Sequence, residues 1–284
     1  MKVLIIGGGA SGMMAALSAA EDATNTVTVL ERQGRVGRKL LATGNGRCNL
    51  SNLHAAAAHY YDAADFVTPV LERFPVEKTL AYFRALGLVT VHEADGKVYP
   101  HSDQANSVVD VLRFALEARG IAVACGCEVR AVRKKARGWQ AECVDGQTFY
   151  GDKLIVSAGG CAGHKLGGTE DGYHILGSLG HTCTALRPSL AQIRTDTEFV
   201  RALKGVRADA QVELKIGAQR AAACSGEVQF TEYGLSGPAA FAFSRAVSTG
   251  AGEMVLLLDL MREYDRAEIL TLLRARRAQF PQLA

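Results

Sequence analysis

A chain of 284 residues, 48% hydrophobic, 21% charged and 7% aromatic, has the composition of a globular protein, which excludes disordered and fibrous classes. Its 32 Lys plus Arg against 29 Asp plus Glu leave a net charge of +3, so no nucleic-acid or membrane partner is expected from charge. The longest aliphatic runs, such as Met254 to Leu258, are far short of the ~20 residues of a spanning helix, and the strand-like residues directly after Met1 leave no room for a signal peptide, so a cytoplasmic address is expected.

The first element is the apolar run Lys2 to Ile6 (KVLII), the pattern of a strand buried on both faces of a parallel sheet. Gly7, Gly9 and Gly12 follow as GxGxxG, and Met13 to Ala20 supply small or unbranched residues that suit a helix packed on that sheet. Thr26 to Leu30 make a second strand, which ends at Glu31, roughly 20 residues past the last glycine, as a dinucleotide fold requires. Each part has a physical task. Gly7 permits the tight turn, Gly9 lets backbone N–H groups reach a pyrophosphate, and Gly12 brings helix and strand together. The helix N-terminus presents unpaired N–H groups to the phosphates. Glu31 accepts from the ribose hydroxyls and would repel a 2′-phosphate, which argues against NADP at this first site.

After Glu31 the chain departs from a plain NAD domain. A long polar stretch carries Gly44 and Gly46, the amides of Asn45, Asn49 and Asn52, and the cation Arg47. Such a segment either satisfies a large polar ligand through freed N–H groups and Arg–phosphate contacts, or faces water as a surface loop. Further on, Pro75 to Leu86 and Gln104 to Arg119 show helical spacing, the second stopping at Gly120. Ile121 to Ala124 reads as a short buried strand. Residues 128–150 alternate between turns, which predicts a three-stranded antiparallel meander. Lys153 to Ser157 returns to a buried parallel strand with Ala158, Gly159 and Gly160 at its carboxyl end, where open α/β sheets place ligands. Beyond Pro188 short strands are expected at Gln211 to Ile216, Ala221 to Cys224, Glu227 to Thr231 and Met254 to Leu258, with Ser236-Gly237-Pro238 opening a helix and a last helix over 264–278. Seven cysteines without a small-scaffold spacing favour reduced thiols over disulfides.

Several of these segments resemble one known family. Gly7-Gly8-Gly9-Ala10-Ser11-Gly12, Gly37-Arg38-Lys39-Leu40 and Thr43-Gly44-Asn45-Gly46-Arg47-Cys48-Asn49 are similar to the BaiN/RdsA-type NAD(P)/FAD-dependent oxidoreductases, bacterial flavoproteins with a glutathione-reductase-like FAD domain. The likeness continues through Tyr99 to Ala105, Val156 to Gly160, Gly168 to Tyr173 and Phe230 to Pro238. It implies an α/β, Rossmann-like FAD-binding domain with a βββ meander over 1–188 and an inserted β-rich substrate domain over 189–284. Intact relatives return to the FAD sheet after that insertion, and this resemblance implies that the present chain lacks the return. The cofactor residues it implies are Gly7 to Gly12, Glu31, Arg32, Arg38, Lys39, Leu40, Thr43 to Asn49, Val129, which either nears the adenine or packs on the core as a strand residue, and Ala158 to Gly160. Cys48 is expected to pack as a small apolar group rather than to touch the flavin.

No Gly-x-Ser-x-Gly elbow, His-Glu-x-x-His or Cys-x-x-Cys occurs, which disfavours hydrolase, zinc-protease and dithiol readings. His164, His174 and His181 lack a metal-ligand spacing, so no metal is expected. No catalytic side chain is named, because in a flavoenzyme the ring does the redox work while the protein positions the substrate. The resemblance implies hydride transfer through FAD, from NAD(P)H to an activated C=C bond of a small molecule. A flavin amine oxidase releasing peroxide, or a non-catalytic flavin-binding remnant, are the alternatives.

Overall fold

The computed structural model describes residues 1–283, which divide into two compact units, 1–183 and 184–283. The first runs β1 (Lys2–Ile6), α1 (Ala10–Ala19), β2 (Thr26–Glu31), β3 (Ser51–Asn52), α2 (Ala64–Arg73), α3 (Val76–Ala85), β4 (Thr90–His92), β5 (Lys97–Pro100), α4 (Ala105–Ala118), β6 (Ala122–Cys125), β7 (Val129–Lys134), β8 (Trp139–Cys143), β9 (Thr148–Gly151), β10 (Lys153–Val156) and α5 (Asp171–Ser178). The second contains β11 (Ile193–Arg194), α6 (Thr197–Val200), β12 (Arg207–Ile216), β13 (Gln219–Thr231), β14 (Gly234–Ser236), α7 (Pro238–Thr249), β15 (Met254–Asp259) and α8 (Arg266–Gln279). No helix among the described residues is long and apolar enough to cross a membrane.

In the first unit a parallel sheet has the order β10-β1-β2-β6, with Ile5 opposite Ile155 on one side and Val29 on the other. Successive strand side chains point to opposite faces, and both faces of β1 are covered, whereas the edge strand β6, expected to be buried, leaves Ala122, Val123 and Cys125 exposed. Val3 and Ile5 bury against Met13, Ala16 and Leu17 of α1 and Val108, Leu112 and Leu116 of α4. Leu4, Ile6 and Leu30 bury on the other face with Val129, Val132 and Ala141 of the meander and Ile175 of α5. Fully burying such side chains is worth about 1.5–3 kcal/mol each, which explains why β1 has no polar alternation after Lys2. The meander β7-β8-β9 is antiparallel, as its two turns predict.

The cysteine expectation is corrected. Cys127 and Cys143 form a disulfide with Cα atoms 6.0 Å apart, although 16 residues separate them. Antiparallel pairing of β7 with β8 sets Val129 opposite Cys143, and this brings the preceding Cys127 within bridging range. Chain spacing alone does not reveal such a cross-strand neighbour. Cys48, Cys125, Cys161, Cys183 and Cys224 are not in disulfides.

The second unit is a five-stranded sheet, β11-β14-β13-β12-β15. Ala210, Val212 and Leu214 of β12 and Val228 and Phe230 of β13 face the buried side chains of α7. The expected strands at Ala221 to Cys224 and Glu227 to Thr231 are one strand, β13, because Gly226 stays in the ladder opposite Ala210. Gly237 precedes α7 with φ +96° and Pro238 occupies the helix start, where its missing N–H costs nothing. Phe243 is the largest of the fully buried side chains, so Phe243→Ala is expected to cost about 3–5 kcal/mol, measured by urea unfolding.

Candidate functional site

The carboxyl ends of β1, β2 and β10 open onto a cavity of about 370 Å³. This is the crevice of an open α/β sheet where neighbouring strands run to opposite sides of the first. Gly7, Gly9, Ala10 and Ser11 line it from the β1–α1 turn, Glu31 and Arg32 from the end of β2, and Ala158 and Gly159 from the end of β10. Arg38, Lys39, Leu40 and Thr43 close one side, and Val129 with Cys127 closes another.

The glycines divide their work as the turn requires. Gly7 has φ +104°, and a Cβ there would meet the Ser157 carbonyl oxygen at 2.4 Å. A Cβ on Gly12 would meet the Gly7 carbonyl oxygen at 1.8 Å, whereas one on Gly9 would meet nothing within 4 Å. Gly12 is therefore a packing residue between helix and strand, and the space over Gly9 is open for a ligand. Helix α1 begins at Ala10 with no side-chain cap and no acidic residue in its first turn, so its leading N–H groups are left to an incoming anion.

The Glu31 carboxylate accepts from Gly8 N–H at 2.6 Å and from Gln33 N–H at 2.7 Å. These bonds fix the side chain at the cavity wall, and its remaining lone pairs are free to accept hydroxyls. Three cations line the same cavity. Arg32 donates to the Gly167 carbonyl at 2.9 Å and pairs with Asp171 at 3.4 Å. Arg38 donates to the Gln33 side chain, and the Lys39 ammonium donates to the carbonyls of Ala162 at 2.7 Å and Gly160 at 3.2 Å.

Other expected residues lie outside the cavity lining. Gly8 acts through its N–H on Glu31, and Gly160 through its carbonyl on Lys39. Residues 44 to 49 fold back on themselves: Cys48 N–H donates to the Thr43 carbonyl at 2.9 Å and Arg47 N–H to the Gly44 carbonyl at 3.2 Å. Gly44, Asn45, Gly46 and Cys48 all have positive φ. The Cys48 side chain is buried, and burial pushes its thiol pKa up. A Cβ on Gly44 would collide with the Asn49 nitrogen at 2.5 Å. Arg47 pairs with Asp103 and with Glu93, the latter at 2.9 Å.

Gln33, Ser157, Leu166, Gly167, Thr169 and Asp171, which are not among the cofactor residues that the resemblance implies, also line the cavity. The signal for the last group is positional. The segment after Gly160 leads into α5, and Asp171 at that helix start accepts from the Thr169 hydroxyl at 2.7 Å. Among the described residues, no group of three or more His, Cys, Asp or Glu is placed to hold a metal ion.

The family model described as the HI0933-like protein Rossmann domain matches residues 1–264. The chain belongs to this family. Among curated proteins it is similar to the 3-dehydro-bile acid delta(4,6)-reductase of Clostridium scindens, 38% identical over 94% of this chain and 66% of that protein. It is also similar to the ribosomal RNA dihydrouridine synthase of Escherichia coli, 28% identical over 85% of this chain and 60% of that protein. The chain thus spans 60% to 66% of the length of these relatives. Among solved structures, an open flavocytochrome c3 fumarate reductase aligns with 73% of this chain and 46% of its own, at 17% identity and a TM-score of 0.48.

Proposed function

We propose that this chain belongs to an FAD-dependent oxidoreductase that passes hydride from NAD(P)H through the flavin to an activated C=C bond of a small organic molecule. The observation that carries the reading is the cavity itself. It combines uncapped N–H groups at the start of α1, open space over Gly9 and a carboxylate fixed at the end of β2. This donor set fits a nucleotide diphosphate. The N–H groups of Ala10 and Ser11 are the groups to hold the pyrophosphate, Glu31 the ribose hydroxyls, and Val129 with Cys127 the adenine edge.

FAD, when bound, supplies a two-electron carrier. The chain's own residues bind and orient it. Lys39 and Arg38, which line the cavity, would place positive charge beside the phosphates, and Cys127 and Val129 would exclude water from the adenine side. The two similar enzymes support the C=C reading over an amine oxidase. One is named a 3-dehydro-bile acid delta(4,6)-reductase and the other a ribosomal RNA dihydrouridine synthase. The greater identity to the bile-acid enzyme supports a small molecule over RNA as the substrate. Residues 184–283 have a separate β-rich core, and a substrate-binding role is proposed for them.

The test is anaerobic titration of the FAD-loaded protein. Bleaching of the flavin band by NADH or NADPH, followed by reoxidation on adding a conjugated enone, is the expected result. Reoxidation only by oxygen, with peroxide released from an amine, would establish the oxidase reading instead.

A further inference from the structure

We infer that Arg47 is a positioning residue that clamps the loop beside the cavity, and that it is not a ligand of the bound nucleotide. The inference rests on the reading of that cavity as the dinucleotide site. The guanidinium is held by two carboxylates: Nε donates to Asp103 and Nη2 to Glu93 at 2.9 Å. Its plane lies over the Tyr99 ring, with Cζ 3.9 Å from the centroid. One cation between two carboxylates leaves a local charge of −1, which repels a phosphate. The two carboxylates also hold Arg47 more firmly protonated than usual, Asp103 most of all.

The loop needs such a clamp. Asn45 and Cys48 have φ of +60° and +61°, and Asp103, at the other end of the ion pair, has φ of +57°. Non-glycine residues persist in this region only when their surroundings over-determine them. Arg47 ties these two left-handed turns together and to the buried ring of Tyr99 on β5. The same loop contributes Leu40 and Thr43 to the cavity wall. The clamp therefore sets the wall without touching its contents.

The experiment compares wild type, R47A, R47K, the double variant E93Q/D103N and the triple variant R47A/E93Q/D103N. Two readouts are taken: FAD titration followed by the visible flavin spectrum, and amide hydrogen exchange without FAD. Expected is a rise in the Kd for FAD of about tenfold, equivalent to ~1.4 kcal/mol, in R47A and in the double variant alike. The triple variant should be no worse than R47A, since all three groups act as one unit. R47K, which keeps the charge without the planar fork, should recover only part of the loss. Exchange should quicken at residues 43–49 in every variant and stay unchanged in β1 and β2. If E93Q/D103N binds FAD as well as or better than wild type while R47A is weakened, Arg47 is a phosphate ligand and the inference is wrong. Normal FAD uptake by wild type with unaltered exchange at 43–49 in R47A also overturns it. Failure of wild type to take up FAD overturns the dinucleotide reading itself.

Discussion

Gly12→Val is expected to destabilise the first unit by about 3 kcal/mol or more, the upper end of what overpacking costs, while Gly9→Val leaves stability within ~0.5 kcal/mol of wild type and abolishes FAD uptake. The two glycines belong to one motif, yet they meet different surroundings. A Cβ on Gly12 falls 1.8 Å from the Gly7 carbonyl oxygen, a backbone atom that moves only if β1 and α1 separate. Gly9 has φ −77° and ψ −172°, which any residue adopts, and its Cβ would project into open space. The valine side chain then occupies the path of the pyrophosphate. Urea unfolding and a visible FAD titration on the same samples separate the effects. Loss of stability in the Gly9 variant, or normal FAD uptake with it, would remove the assignment of that space to the diphosphate.

Glu31→Ala is expected to weaken FAD by about 10–100-fold, because a hydrogen bond to a charged group is worth about 1.5–3 kcal/mol and a ribose offers hydroxyls to this carboxylate. Part of the effect is indirect. Glu31 also accepts from Gly8 N–H and Gln33 N–H, so its loss loosens the turn that shapes the cavity floor. Glu31→Gln keeps the shape and one acceptor oxygen but sets its –NH2 against one of the two backbone N–H donors, so it should recover only part of the affinity. It should also relax discrimination against a 2′-phosphorylated nucleotide, since the repelling charge is gone. Isothermal titration with FAD and with 2′-phospho-ADP-ribose reads both. Unchanged FAD affinity in Glu31→Ala would place the ribose elsewhere.

The residues of the β1–α1–β2 unit were legible because they are local. Strand period, helix composition, glycine spacing and the acid at the end of β2 all lie within one short stretch of chain, and parallel pairing of β1 with β2 follows from them. The meander was legible for the same reason, since its turns and strands are consecutive. The polar segment after Glu31 was not. Its composition suits both a phosphate-binding loop and a clamped turn, and Glu93 and Asp103 lie 46 and 56 residues from Arg47. A cation's partner at that distance is a property of the fold.

By itself, then, the sequence determined the dinucleotide unit, the burial of β1 on two faces and the position of the acid at the cavity, all set by periodicity and steric need over a few residues. The tertiary structure alone decided that Arg47 spends its charge on two carboxylates, that Cys127 meets Cys143, and that Gly167, Thr169 and Asp171 join the cavity wall. Electrostatic pairing and disulfide reach depend on distance in space, and that distance exists only once the sheet and the meander have packed.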